Sequence, residues 1–197
     1  MIKNIVFDMG NVLLRYDPEV PLQMFCATEE ERSVIRKELF EGPEWVEGDL
    51  GTITNDMKYE RVKARIPLHM HAALKRCVYE WRVCIEPVRG ALAFCEYARK
   101  KGCGLYVLSN ASDEFYEYFP IFSPFDYFDG IVISSDVHMV KPDVRIYRHL
   151  MEKYRLSPEE CLFLDDTEEN VAGARQAGMQ GMVFRGDYEE VKNRYAL

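Results

Sequence analysis

Four short apolar runs in this chain each lead into polar side chains, and the pattern predicts four buried strands of one sheet. A strand covered by helices on both faces is apolar along its length, as in a parallel sheet. The runs are IVF before Asp8, LYVL before Ser109 and Asn110, IVI before a segment that reaches Lys141, and LFL before Asp165 and Asp166. Because ligands bind beyond the carboxyl ends of parallel strands, we expect these polar groups to gather at one edge.

Helical patterns separate these runs. Apolar residues recur at helical spacing over 88–101, with Leu92 on the apolar face, and over 167–178. A third helix is predicted to begin with Pro142 at its first position. A further apolar run at 182–184 predicts another strand. This alternation predicts an α/β fold, a Rossmann-like doubly wound parallel sheet.

The stretch 17–86 has a different rhythm, in which helical patterns follow one another without a clear strand. Thr28 and Glu31 have the spacing of a capping box, which marks the start of a helix. A structureless insertion of this length is unusual in a compact domain. We therefore predict an α/β core domain formed by 1–16 and 87–197, with 17–86 inserted as a small helical cap domain.

Composition and charge narrow the class of function. The 197-residue chain has a net charge of −8, whereas nucleic-acid binding needs clustered Lys and Arg. Arg61, Lys63 and Arg65 are typical of a solvated helix face. The first apolar run is too short for a secretory signal or a membrane span, and the six cysteines show no metal-binding spacing. We expect a cytoplasmic protein that binds neither nucleic acid nor membranes; the oligomeric state stays open.

Asp8, Asp165 and Asp166 would repel one another at the sheet edge, and burial would protonate them unless a cation compensates their charge. Mg²⁺ fits, because it prefers hard oxygen ligands and is held by one or two carboxylates together with substrate phosphate. Adjacent residues do not point inward equally, so we assign Asp166 to direct coordination and Asp165 to a supporting or water-mediated role. Asn170 is expected to orient one of them.

Lys141 precedes a proline, which favours an extended backbone and holds the ammonium ahead of the next helix. A fixed ammonium suits a phosphate dianion. Ser109 offers a hydroxyl, and backbone N–H groups around Asn110 and Ala111, at an expected helix start, suit anionic oxygens. With Mg²⁺ and Lys141 neutralising the phosphoryl group, Asp8 is expected to form an aspartyl-phosphate that water hydrolyses. The predicted substrate is a small phosphorylated metabolite.

The segments FDMGNVL, VLSN, KPDVRIY and FLDD resemble motifs of the haloacid dehalogenase-like (HAD) hydrolase superfamily, in the subgroup with a helical cap after the first motif. The resemblance spans nearly the whole chain and extends to the bacterial α-D-glucose-1-phosphate phosphatase group. It implies a sugar phosphate substrate. It also implies a nucleophile at Asp8, a metal-binding carbonyl at Gly10, and the later motifs at Ser109, Lys141, Asp165 and Asp166.

Gly10 departs from the D-x-D pattern of most phosphatases in this superfamily, whose second aspartate is the general acid and base. Such a group contributes about 10²- to 10⁴-fold. Its absence favours substrates with weakly basic leaving groups. A sugar 1-phosphate fits, because the ring oxygen makes the anomeric hydroxyl less basic, and aryl or acyl phosphates fit as well.

Asp17, Glu47 and Asp49 are candidates for the missing acid, although surface solvation or helix capping is the interpretation that we favour for all three. Trp45 is expected to face the substrate, whereas Trp81 is expected to be structural.

Two other functions are compatible with these residues. A haloacid dehalogenase-type hydrolase would also lack the second aspartate, but halide displacement needs no Mg²⁺, and two acids at the metal position would repel an anionic substrate. A phosphate or sugar-phosphate binding protein with weak catalysis is the second alternative. Asp8 and Lys141 favour catalysis, and Gly10 keeps the binding protein open.

Overall fold

The computed structural model describes residues 1–122 and 127–195. Residues 123–126 and 196–197, which belong to the predicted core domain, lie outside the described residues. The strands are β1 (Asn4–Phe7), β2 (Leu14–Arg15), β3 (Glu86–Pro87), β4 (Gly104–Ser109), β5 (Gly130–Ile133), β6 (Cys161–Asp165) and β7 (Gln180–Val183). Five of them form a parallel sheet in the order β5-β4-β1-β6-β7. The predicted parallel sheet is confirmed.

Helices cover both faces of this sheet. Successive residues of β1 alternate between two apolar cores, with Ile5 and Phe7 in one and Val6 in the other. The helices are α1 (Glu19–Phe25), α2 (Glu29–Ile35), α3 (Pro43–Asp49), α4 (Asn55–Lys63), α5 (His71–Tyr79), α6 (Ala91–Lys100), α7 (Phe115–Tyr118), α8 (Ser134–Val137), α9 (Val144–Tyr154), α10 (Glu168–Gln176) and α11 (Tyr188–Tyr195). Phe94 of α6 packs in the first core and Tyr147 of α9 in the second, as a doubly wound sheet requires.

Single turns of other helix types connect these elements. A π-helical turn spans Arg36–Phe40, and 3₁₀ turns span Leu68–Met70, Trp81–Cys84, Phe119–Ile121 and Pro158–Glu160. Within the described residues, none of the helices has both the length and the apolar character needed to cross a membrane.

Helices α1 to α5 share a core of their own, which includes Leu22, Ile35, Val62 and Leu74. The chain leaves the sheet and returns to it side by side, because β2 and β3 pair as an antiparallel ribbon. The predicted capping pattern is present at α2. Thr28 accepts a hydrogen bond from the Glu31 N–H at 3.1 Å, and the Glu31 carboxylate accepts one from the Ala27 N–H at 2.6 Å.

Two local predictions are wrong. Helix α9 begins at Val144 rather than at Pro142, because the Asp143 side chain caps it by accepting a hydrogen bond from the Arg145 N–H at 2.9 Å. Leu92 is 44% exposed, so the buried face of α6 excludes it. Apart from the segment after β4, the remaining predicted helices and strands agree with the structure within a few residues.

Candidate active site

The carboxyl ends of strands β1 and β6 place two acidic residues beside one lysine. Phe7 pairs with Leu164 in the sheet, so Asp8 and Asp165 leave adjacent strands at the same level. Lys141 Nζ donates hydrogen bonds of 2.6 Å to Asp8 Oδ1 and of 2.6 Å to Asp165 Oδ2. All three residues are buried. The residues that sequence analysis predicted at three separate strand ends therefore meet in one ion cluster.

The two acids of the DD pair have different surroundings. Asp165 is fully buried, and its carboxylate accepts hydrogen bonds from Asn170 Nδ2 at 3.1 Å and from the Thr167 N–H at 2.8 Å. Asp166 is partly exposed, and its Oδ2 accepts a 2.9 Å hydrogen bond from Asn11 Nδ2. Asp165 is thus saturated by protein donors, whereas Asp166 retains access to the cavity.

Carboxylate oxygens of Asp8, Asp165 and Asp166 lie within 4.8 Å of one another. Three carboxylates and one ammonium leave two negative charges uncompensated. Burial, and then the charges of Asp165 and Asp166 against the opposing effect of Lys141, raise the pKa of Asp8 to about 7. Among the described residues, Asp8 Oδ2 has no hydrogen-bond donor. This all-oxygen, electron-rich donor set fits Mg²⁺.

Lys141 is held by its backbone as well as by its ammonium. Asn110 Oδ1 accepts a 2.8 Å hydrogen bond from the Lys141 N–H, and Asn110 Nδ2 donates one of 3.0 Å to the Lys141 carbonyl. Burial opposes the charge of Lys141, but the carboxylates of Asp8 and Asp165 outweigh burial and raise its pKa. The side chain of Asn110, predicted to bind substrate, thus orients the lysine, and Asn110 also lines the cavity.

The phosphate cradle predicted after β4 differs from its expected form. The Ala111 N–H donates to Ser134 Oγ at 2.9 Å, and the next helix, α7, begins only at Phe115, so the helix start expected near Ala111 is wrong. Ser109 is buried, and its hydroxyl contacts the Asn110 carbonyl at 3.5 Å. Ser112, three residues further on, lines the cavity.

A cavity of about 230 Å³ is lined by Asp8 and Asp166. Volumes of about 300–1,000 Å³ are usual for small-molecule sites, so this one suits a small ligand. Gly10 lies beside the Asp8 carboxylate, because a Cβ built there would be 3.6 Å from Asp8 Oδ2. Glycine therefore leaves free the space that a second aspartate would occupy.

Residues of the helical segment 17–86 also line the cavity and form one of its walls. Trp45, Asp49 and Lys58 line it together with Trp81 and Tyr16. Trp45 faces the cavity as predicted. Trp81 is 5% exposed and packs in the first core, as expected of a structural residue, but it also lines the cavity.

The three candidates for the missing general acid lie in different places. Asp17 accepts a 3.0 Å hydrogen bond from the Glu19 N–H at the start of α1, and Glu47 forms a 2.6 Å ion pair with Arg61. Neither is among the cavity-lining residues. Asp49 lines the cavity, and burial, opposed by the charges of Lys58 and Lys141, raises its pKa to about 7. A carboxyl group with that pKa is able to hold a proton near neutral pH.

Asn11 and Lys58 line the cavity, although the sequence analysis gave neither of them a role. Asn11 has a φ of +55°, and besides holding Asp166 it accepts a 3.0 Å hydrogen bond from the Tyr16 N–H. The sequence feature that could have indicated a turn at Asn11 is an Asn directly after a Gly in the FDMGNVL segment. Lys58 carries no comparable signal, because α4 also contains the basic residues Arg61 and Lys63, and the sequence does not single out one of the three.

Comparison with known proteins identifies the family. A sequence profile of the haloacid dehalogenase-like hydrolases matches residues 2–178. The chain belongs to this family of hydrolases.

Two curated relatives illustrate how this HAD-like hydrolase compares in sequence. The sesquiterpene phosphatase astK of Aspergillus oryzae is 27% identical over 181 residues, which cover 91% of this chain and 88% of that protein. A phosphoserine phosphatase of Thermus thermophilus is 31% identical over 99 residues, which cover 49% of this chain and 40% of that protein.

Solved structures share the HAD fold at low identity. The HAD family enzyme BT-2542 of Bacteroides thetaiotaomicron, in complex with magnesium and inorganic phosphate, superposes with a TM-score of 0.69 at 20% identity, covering 97% of this chain and 99% of that one. The L-2-haloacid dehalogenase of Xanthobacter autotrophicus has a TM-score of 0.64 at 19% identity, covering 92% and 76%. At such identities the likeness establishes the fold alone.

Proposed function

We propose that this hydrolase is a Mg²⁺-dependent phosphatase that acts on a small sugar phosphate through an aspartyl-phosphate intermediate. The observation that carries the proposal is the Lys141 ammonium, which is bound at 2.6 Å to both Asp8 and Asp165. It fixes the Asp8 carboxylate at the floor of the cavity with one oxygen free. That oxygen attacks phosphorus, the bond to the leaving oxygen breaks, and water later cleaves the acyl phosphate.

Asp8, Asp166 and the carbonyl of Gly10 would hold Mg²⁺, and bound Mg²⁺ would neutralise charge on the phosphoryl oxygens. Asp165 and Asn170 support this site by fixing Lys141 and the loop after β6. The presence of magnesium and inorganic phosphate in BT-2542, a protein of the same fold, supports this pair of ligands. Ser109, at the end of β4 beside β1, remains the proposed hydroxyl donor to the phosphoryl group.

Asp49 is the proposed replacement for the acid missing at Gly10. It lines the same cavity, and its raised pKa keeps a share of its carboxyl protonated at neutral pH. It would give its proton to the leaving oxygen and recover one from the attacking water. This role requires the helical segment 17–86 to act as a cap on the core, as the proposed domain division has it.

The substrate proposal rests on the chemistry of the cavity. A sugar 1-phosphate would place hydroxyls near Asp49 and the apolar face of its ring near Trp45 and Trp81. The name of astK raises a hydrocarbon substrate as an alternative. The buried Lys58 ammonium in this wall disfavours a hydrocarbon, because it would lose water without gaining a partner. A cytoplasmic location is part of the proposal, and the six free, buried cysteines suit a reducing compartment.

The test is phosphate release from a metabolite panel, with and without Mg²⁺. Release should vanish with chelator and in Asp8→Asn, and glucose 1-phosphate should be cleaved faster than glucose 6-phosphate. Equal rates on the two sugars would remove the leaving-group argument. Halide release from 2-haloacids in the presence of chelator would instead identify a dehalogenase, and binding of phosphate without turnover of any ester would identify a binding protein.

A Brønsted series tests Asp49. In Asp49→Asn, kcat/KM for sugar phosphates should fall by about 10²- to 10⁴-fold, whereas kcat/KM for 4-nitrophenyl phosphate, whose leaving group needs no proton, should be nearly unaffected, because kcat/KM covers only the steps up to departure of the leaving group. Equal losses on both substrates would exclude Asp49 as the proton donor.

A further inference from the structure

Lys58 is a buried cation on the cavity wall. It lies in α4, only 3% of its surface is exposed, and it lines the cavity. Within residues 1–122 and 127–195 its ammonium has no hydrogen-bond acceptor and no ion pair within 4.0 Å. Its nearest aromatic contact is the Trp45 ring, whose centroid is 4.4 Å from Nζ.

The backbone of α3 makes room for this side chain. A Cβ built at Gly48 would lie 3.0 Å from Lys58 Nζ and 3.1 Å from Lys58 Cε. Glycine at this position therefore lets the lysine pass along α3 toward the cavity. The end of the side chain is positioned by Gly48 on one side and by Trp45 on the other.

Acidic groups face Lys58 without pairing with it. Burial lowers its pKa, and the charges of Asp49, Glu114 and Asp113 oppose that effect. Glu114 is engaged elsewhere, since it accepts a 3.1 Å hydrogen bond from Trp81 Nε1 and lies 3.8 Å from Arg82. Among the described residues, Lys58 Nζ is not one of the fully buried polar atoms that lack a partner, so this ammonium reaches the cavity, where a ligand is able to supply an acceptor.

We propose that Lys58 is a specificity-determining residue that donates a hydrogen bond to a hydroxyl of the sugar leaving group. This inference rests on the proposed phosphatase function and adds the group that recognises the substrate beyond its phosphate. Lys58 offers donors and Asp49 offers an acceptor in the same wall, and a hydroxyl is able to use both. The rings of Trp45 and Trp81 supply an apolar surface for the sugar ring beside them.

Charge argues for a neutral hydroxyl rather than a second anionic group. Glu114 lines the cavity near Lys58, and its negative charge would repel a carboxylate or a second phosphate. A hydrocarbon chain would leave the ammonium without a partner. A polyhydroxylated leaving group satisfies the donor and the acceptor together.

The test compares Lys58→Met with Lys63→Met on two phosphate esters. Lys63 lies on the same helix, is partly exposed and pairs with Glu60 at 3.0 Å, so it is a matched control. In Lys58→Met, kcat/KM for glucose 1-phosphate should fall by about 10- to 100-fold, the usual size for a lost hydrogen bond to a charged group. The value for 4-nitrophenyl phosphate should stay within about twofold, and Lys63→Met should change neither.

A deoxy-sugar series identifies the hydroxyl. One monodeoxyglucose 1-phosphate should be a poor substrate for the wild-type protein and should show no further loss in Lys58→Met, because the two changes remove the same bond. Lys58→Gln, which keeps a neutral donor, should lie between the wild type and Lys58→Met. It also serves as the test variant if Lys58→Met does not fold.

Other outcomes separate the two proposals. Equal losses on both esters, or losses on every deoxy sugar alike, would overturn the role of Lys58 while leaving the phosphatase function standing. Turnover of 4-nitrophenyl phosphate with no turnover of any sugar phosphate would overturn it too. If the wild-type protein with Mg²⁺ released no phosphate from any ester, the phosphatase proposal itself would fail.

Discussion

Lys141 and Lys58 are both buried in the described part of the chain, and they differ in what surrounds their charge. Lys141 is 4% exposed and Lys58 is 3% exposed. The ammonium of Lys141 lies 2.6 Å from each of two carboxylates, and its backbone is bound on both sides by Asn110. The ammonium of Lys58 has an aromatic ring and a glycine beside it.

This contrast distinguishes two uses of a buried charge. Lys141 is completed by the protein, so it fixes the position of Asp8 before any ligand arrives. Lys58 is left incomplete, so the free energy of its desolvation is recovered only when a ligand supplies an acceptor. In the proposed function, the sheet edge would be preorganised for the reaction, and the cavity residues of the helical segment 17–86 would recognise the substrate.

Removal of the paired lysine should have the largest effect on stability. Lys141→Met leaves Asp8 and Asp165 buried without their cation, and we expect the free energy of unfolding to fall by about 3–5 kcal/mol. Urea unfolding at pH 7 without Mg²⁺ measures this, with Lys63→Met as a control that should change it by less than about 0.5 kcal/mol. A loss below about 1 kcal/mol would mean that the acids are compensated without Lys141.

The pH dependence of stability tests whether Asp49 and Lys58 form an ion pair. The pKa of Asp49 is raised from 3.8 to about 7, chiefly by burial. The unfolded chain releases this proton first, so the contribution of Asp49 to stability is fully present below pH 3.8 and is lost as the pH rises through about 7. Since one pKa unit corresponds to 1.36 kcal/mol, the loss reaches up to about 4 kcal/mol.

Asp49→Asn removes this titration. The variant and the wild type should have similar free energies of unfolding near pH 4, and the variant should become the more stable one above pH 7. The measurement is urea unfolding across that range. If the variant were instead less stable at pH 8, Asp49 would be a charged partner of Lys58, and the contrast between the two lysines would be wrong.

Lys58→Met should have the opposite sign from Lys141→Met. Burial lowers the pKa of Lys58, so partial desolvation of its ammonium opposes folding, and the cation–π contact with Trp45 returns only about 0.5–1 kcal/mol. We therefore expect the free energy of unfolding to rise by about 1–2 kcal/mol, together with the loss of sugar discrimination. A decrease in stability would show that Lys58 serves the packing of α4 against Trp45.

The two regions also differ in how far the sequence predicts them. Asp8, Lys141, Asp165 and Asp166 follow apolar runs, and parallel topology brings the ends of such runs to one edge. Their meeting was therefore predictable without knowledge of any side-chain contact. Asp165 and Asp166 have distinct surroundings, and their roles at a metal ion stay predictions.

For Lys58, in the helical segment that lines the cavity, the sequence contained no comparable pattern. In the segment NDMKYERVK, Lys58 and Lys63 each follow an apolar residue, yet one is buried at the cavity and the other lies partly exposed. That difference depends on how α3 and α4 pack, and on the absence of a side chain at Gly48. The Ala111 N–H was predicted as an anion donor for a related reason, since the sequence does not reveal that Ser134 accepts its hydrogen bond.

The smallest expected effect comes from Gly48→Ala, which perturbs the position of Lys58 without removing it. The added methyl group would lie 3.0 Å from Lys58 Nζ, and the flexible end of the lysine would have to shift. We expect kcat/KM for glucose 1-phosphate to fall by about 3- to 10-fold, with 4-nitrophenyl phosphate unaffected, because a displaced donor weakens one substrate contact. Alanine also favours the helix by up to about 1 kcal/mol, so loss of folding should not mask the result.

The double variant Gly48→Ala with Lys58→Met decides the cause of this effect. If glycine acts only by admitting the lysine, the methyl group costs nothing once Lys58 is gone, and the double variant should match Lys58→Met. Additive losses would mean that residue 48 shapes the cavity independently of Lys58. The coupling between these two positions therefore measures how much of the effect of Gly48→Ala on kcat/KM for glucose 1-phosphate depends on the position of the Lys58 ammonium.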